Sequence, residues 1–82
     1  MITVENAAKL ANRFLKKSRV RKVIGEVDNK YLIIYENLNG DLPAGGYDLT
    51  VNKETGECKF ERLERESLAP FAKIKGYKKI DQ

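Results

Sequence analysis

Between Gly45 and Phe60 the chain reads GGYDLTVNKETGECKF. Tyr47, Leu49 and Val51 alternate there with Asp48, Thr50 and Asn52, the period of two expected of a strand with one buried and one wet face. Lys53, Glu54, Thr55 and Gly56 follow, and a glycine at that point supplies the positive φ that closes a short loop with a bulge. Cys58 and Phe60 then resume the apolar beat while Glu57, Lys59 and Glu61 point away. The stretch predicts a β-hairpin.

Upstream, the period changes. Val4, Ala7, Ala8, Ala11, Phe14 and Leu15 recur at spacings of three and four, with Glu5, Lys9, Asn12, Arg13 and Lys16 on the other side and Thr3 placed to cap. An amphipathic helix over residues 4 to 17 follows, with Glu5 in its first turn and Lys16 and Lys17 in its last, as the helix dipole favours. A first strand is expected near Val20 to Val27, a turn at Asp28, Asn29 and Lys30, and a second strand from Tyr31 to Glu36. Tyr31, Leu32, Ile33, Ile34 and Tyr35 are apolar without interruption, which predicts a central strand covered on both faces. The helix can cover only one of them. Leu68, Phe71, Ala72 and Ile74 suggest a short C-terminal helical segment with Ser67 as its cap, and Tyr77 and Ile80 are further apolar contacts that can cover the second face. If they do not, the Tyr31 to Tyr35 strand offers a surface for a homodimer.

The fold expected is α+β: an N-terminal helix packed on a four-stranded antiparallel sheet, with the C-terminal helical segment completing the cover, in one domain over residues 1–82. At 82 residues the core must be thin, since a chain of this size buries only about 60% of the surface its unfolded form exposes. No apolar run approaches the roughly 20 residues that span a bilayer, and MITVENAAKLA has an acid where an export signal would carry positive charge. The expectation is a cytoplasmic protein with no membrane association. The single cysteine, Cys58, agrees with a reducing compartment and falls on an inward beat, where a free cysteine acts as a small hydrophobe.

Charge changes the picture through its distribution more than its sum of +4. Residues 1–24 carry seven Lys/Arg against one Glu, residues 25–72 five against ten acids, and residues 73–82 four against one. The basic segments 16–22 and 73–79 could neutralise phosphates, with Tyr77 stacking a base; Lys16, Lys17, Arg19, Arg21 and Lys22 are the candidate nucleic-acid-binding residues. Against this stand the ten acids between them and the lack of any recognised nucleic-acid-binding motif. The chain has no histidine, which removes the usual activating base for a serine or cysteine nucleophile and most zinc sites. The carboxylates Glu54, Glu57, Glu61, Glu64 and Glu66 are dense, but general acid and base work needs a pair in a pocket that separates their pKa values, and alternating Glu57, Lys59 and Glu61 read as solubility and edge protection. No catalytic residue, metal or cofactor is expected.

Residues 37–46, NLNGDLPAGG, form a connection too long for a tight hairpin, and such loops on a rigid frame often carry binding groups; the alternative is a plain crossing between strands. If it binds, Glu36, Asp41, Asp48 and Glu57 supply charge complementarity and Leu42 and Pro43 the apolar anchors.

The order of helix and strands, the helix ITVENAAKLANRFL, the approach LPAGGYDLTV and the turn from Val51 to Glu57 together resemble the small bacterial immunity proteins of polymorphic-toxin systems, nearest immunity protein 35, and are similar to PepSY-type modules. The resemblance spans about residues 2–60. It implies a non-enzymatic protein that binds another protein, such as a toxin or enzyme, and blocks it. Protein binding and nucleic-acid binding are therefore the two functions carried forward.

Overall fold

The computed structural model describes residues 1–16, 18–36, 47–65 and 74–80. It contains a helix, α1 (Val4–Phe14), and five strands, β1 (Arg19–Val27), β2 (Lys30–Glu36), β3 (Asp48–Asn52), β4 (Cys58–Glu61) and β5 (Tyr77–Lys79). The strands form one antiparallel sheet in the order β4-β3-β2-β1-β5. The architecture is α+β as expected, but with five strands rather than four. The described residues contain no C-terminal helix; residues 67–73, on which that expectation rests, lie outside them, and the described chain beyond is a turn followed by β5.

Helix α1 starts where the Thr3 hydroxyl accepts the Asn6 amide at 3.1 Å. It ends at Phe14, earlier than the amphipathic pattern suggests, because Leu15 is already extended and the chain must reverse into β1. Asn12 secures the reversal, its side-chain oxygen accepting the Val20 amide at 2.9 Å. The expected inner face is the one buried. Ala7 and Ala11 have no exposed surface and pack with Leu15, Val23, Tyr31, Ile33, Leu49 and Val51 between helix and sheet. Phe14 lies at the margin, 41% exposed, its ring centroid 5.3 Å from that of Phe60.

Strand β2 lies at the centre of the sheet, as its unbroken apolar run requires. Its far side is covered by the chain itself: Leu32 is fully buried with Val27 and Ile74, and Ile24, Leu63 and Tyr77 pack around them. The face considered for a homodimer is thus occupied at Leu32, while Ile34 is half-buried.

Strand β1 alternates poorly for a structural reason. Register shifts between Val20 and Lys22 and between Val23 and Gly25 mark irregularities of the bulge kind. Val20 and Val23, three apart, consequently both pack toward the helix, whereas Val27 packs on the other side. Gly25 sits where the Tyr77 ring crosses the strand; a Cβ there would lie 2.9 Å from Tyr77 Cζ and 2.6 Å from the Lys78 carbonyl oxygen.

The β3–β4 turn follows the expected chemistry. Gly56 has φ +77°, its amide donates to the Asn52 carbonyl at 2.8 Å, and the Asn52 side-chain oxygen accepts the Glu54 and Thr55 amides. The start of the chain is tied to this turn. The Ile2 amide donates to the Lys53 carbonyl, and the Tyr31 hydroxyl donates to the Ile2 carbonyl. Lys53 itself is buried, paired with Glu26 and stacked over the Tyr31 ring at 5.0 Å.

Candidate partner-binding surface

The acidic residues expected to form a working surface do not converge. Glu36, at the end of β2, is held by Arg19 at 2.7 Å and by Arg21, which bind both carboxylate oxygens. The hydrogen bond from Arg19 is the main cause that lowers its pKa, with the two positive charges adding to it. Asp48, expected on the wet face of β3, is 4% exposed. It accepts the Leu63 amide at 3.1 Å and pairs with Arg65. Glu57 is exposed, but lies beside the turn at the opposite end of the hairpin, since Asp48 faces Glu61 while Val51 faces Cys58. The separation along the strand is roughly 13 Å at about 3.3 Å per residue. Asp41, Leu42 and Pro43 lie outside the described residues.

The polar beat of β3 is instead part of the interior. Thr50 is 1% exposed and donates its hydroxyl to Glu61 at 2.8 Å, and Lys30 reaches the same carboxylate at 2.8 Å. Burial pushes the Glu61 carboxyl up, but hydrogen bonds from Lys30 and Thr50, with the charges of Lys30 and Lys59, outweigh it and hold the pKa below the ordinary 4.5. Among the described residues no buried side-chain nitrogen or oxygen lacks a hydrogen-bond partner. These carboxylates are therefore committed to holding the sheet and its cover together.

Cys58 is half-buried and packs against the core between helix and sheet. Burial, then the neighbouring Glu57 charge, raises its pKa and disfavours the thiolate. Among the described residues no group of three or more Cys, Asp or Glu side chains could hold a metal ion. No helix among them is long and apolar enough to cross a membrane.

The described parts of the two basic segments come to one edge of the sheet, which their positions at opposite ends of the chain do not reveal. Strand β5 pairs with β1 in the register Gly25 to Lys79 and Glu26 to Lys78, placing these lysines on the sheet edge that β1 continues toward Arg19, Arg21 and Lys22. Lys16 is exposed just beyond the helix, and Lys17 lies outside the described residues. Tyr77 is not free to stack a base, because its hydroxyl donates to the Ile24 carbonyl at 2.9 Å and its ring packs over Gly25.

A cleft between α1 and β1 was not foreseen from the pattern. It is an open groove with a volume of about 590 Å³. Val4, Ala8, Val20 and Val23 form its apolar part, and Glu5, Asn12, Arg21 and Lys22 complete its lining, although the register turns the side chains of Arg21 and Lys22 to the sheet face away from α1, where Arg21 meets Glu36. Small Ala8 leaves the room, and the displaced register of β1 turns Val20 and Val23 to the same side. The helical period puts exposed Lys9 next to Glu5, one turn on. Sequence signals for this cleft existed only in fragments: a small residue on the helix and a cationic run beside it.

No protein family matches the chain, and no curated protein or solved structure is significantly similar to it.

Proposed function

We propose that this protein is a small non-enzymatic protein-binding module whose working surface is the cleft between α1 and β1. The observation that carries the reading is an open, partly apolar cleft with exposed charged residues in its lining, on a frame whose buried side-chain polar atoms are all hydrogen-bonded among the described residues. Apolar surface ringed by charge is what a protein interface needs, because the apolar part supplies affinity and the charges set rate and selectivity. The resemblance to small immunity proteins points to a toxin or enzyme as the protein blocked.

Nucleic-acid binding is the second reading, favoured by one specific observation: the pairing of β5 with β1 puts Lys78 and Lys79 on the same edge of the sheet as Arg19, Arg21 and Lys22. The two readings differ in salt response, since phosphate contacts release counterions and weaken steeply as salt rises. Affinity capture from a host-cell lysate, with and without nuclease and over a salt series, tests them. A single protein retained at physiological salt after nuclease treatment is the expected result. Retention of nucleic acid alone, lost on modest addition of salt, would replace the first reading by the second. Substituting Asp41, Leu42 and Pro43 together tests the 37–46 connection separately; it should leave capture unchanged if the cleft is the surface.

A further inference from the structure

We infer that β4 is a dimerisation edge whose partner is β4 of a second copy of this chain, paired antiparallel about a two-fold axis at Phe60. Strand β4 ends the sheet, with β3 on one side and no described strand on the other. Along an antiparallel edge strand, successive residues turn their backbone groups alternately toward the neighbour and away from it. The Asn52 amide donates to the Glu57 carbonyl at 2.8 Å, so Glu57, Lys59 and Glu61 face β3 while Cys58 and Phe60 present their amides and carbonyls outward. No described residue bonds to those outward groups. The edge also carries apolar surface on the helix side. Half-buried Phe60 packs 5.3 Å from the exposed ring of Phe14 and 5.7 Å from Tyr35, and a facing Phe60 would cover this cluster further. The opposite edge is different: β5 is three residues long and carries Lys78 and Lys79, which would repel their own copies.

The register identifies the occupant. Glu57, Lys59 and Glu61 share the sheet face away from α1, and directly opposed like charges destabilise a strand pair. A two-fold centred on Lys59 sets Glu57 against Glu61 of the second copy and Lys59 against itself. One centred on Glu61 sets that acid against itself. One centred on Cys58 needs the Gly56 amide, which is already donated to Asn52 inside the turn. An axis between two residues opposes charged to apolar faces. Centring on Phe60 instead sets Lys59 against Glu61 of the second copy, repeated by symmetry, and Phe60 against Phe60. Glu61 can accept the addition: a carboxylate has about four acceptor sites, of which Lys30 uses one on each oxygen and Thr50 one more. Lys59 is exposed, its Nζ 3.8 Å from its own Glu61. Charges that repel an unmatched strand thus select this chain's own. The α1–β1 cleft lies toward the other edge of the sheet, so the dimer leaves it open in each copy.

Sedimentation velocity of the full chain in reducing buffer, over a concentration series up to about 1 mM, tests this. A monomer–dimer equilibrium is expected. Lys59→Glu should weaken it by about tenfold, because symmetry repeats the reversed pair. Lys22→Glu, the same charge change on β1, should leave it unchanged. Circular dichroism accompanies both variants, and a measurement on the wild type keeps the test sound if Lys59→Glu unfolds. Amide hydrogen exchange at Cys58 and Phe60 should slow as concentration rises, while that at Leu32 stays constant. A single monomeric species throughout the series would overturn the inference. So would a dimer indifferent to Lys59→Glu, or exchange at Cys58 and Phe60 that ignores concentration. A dimer formed only without reductant would overturn it as well, since a Cys58 disulfide belongs to the register centred on Cys58. Assemblies that keep growing with concentration would overturn it too, because a closed two-fold pair leaves no further β4 edge.

Discussion

Asp48, Thr50 and Lys53 show how far a single polar side chain can depart from its pattern. Each stands where alternation or turn chemistry expects water, yet each is buried and partnered: Asp48 by Arg65, Thr50 by Glu61 and Lys53 by Glu26. Burial of a polar group costs free energy unless its hydrogen bonds are replaced, and here the replacing partners come from strands or segments far along the chain. Gly56 was legible because its requirement is local, a positive φ in a tight reversal. Gly25 was not, because its requirement is the Tyr77 ring lying across it. Gly25→Ala should therefore destabilise by about 1–3 kcal/mol, the usual scale of overpacking. A thermal melt checks it, with the midpoint falling about 4–8 °C for each kcal/mol in a domain of this size. An unchanged midpoint would mean that Tyr77 can leave the strand at no cost.

Among the elements, α1 and the β3–β4 hairpin were readable since cap, period and turn residue all lie within a few positions of one another. The places of Glu36 and Asp48, each held by arginine, were not legible, because charge counted along a chain says nothing about which arginine folds back onto which acid. Strand β1 hid its faces behind two irregularities of register, and the cleft it forms with α1 was hidden with them. Strand β5 had no signal of its own: three residues, two of them lysines, are held by pairing with Gly25, Glu26 and Val27 and by the seat of Tyr77. Tyr77→Ala should release β5 while leaving the central ladder intact. Amide hydrogen exchange would show faster exchange at Lys79 and Ile80, with Leu32 and Thr50 still protected; equal loss of protection in both regions would make β5 part of one cooperative unit.

At the scale of the whole molecule, cross-strand ion pairs make stability depend on acid. Both Glu36 and Glu61 have lowered pKa values in the folded state. A carboxylate of this kind binds its proton more readily in the unfolded chain, so its stabilising contribution is complete above the ordinary carboxylate range and disappears as pH falls through the lowered value. Glu61→Gln should be less stable at neutral pH by about 1 kcal/mol, the net worth of a typical hydrogen bond, because Gln keeps an acceptor for Thr50 and Lys30 but not the charge. It should also lose less stability than wild type between about pH 5 and pH 3, with Glu36 still supplying part of the slope. Urea melts across that range measure both, and parallel slopes would show that Glu61 is not held low. What the amino-acid order settled here is local: the helix with its buried face, the tight reversals and the central place of the Tyr31 to Tyr35 run, because each follows from period, cap or turn residues a few positions apart. The fifth strand, the interior fate of Asp48 and Thr50, the meeting of basic residues from both segments at one sheet edge and the cleft beside α1 depended on assembly, because each is a relation between residues that only the closed sheet makes neighbours.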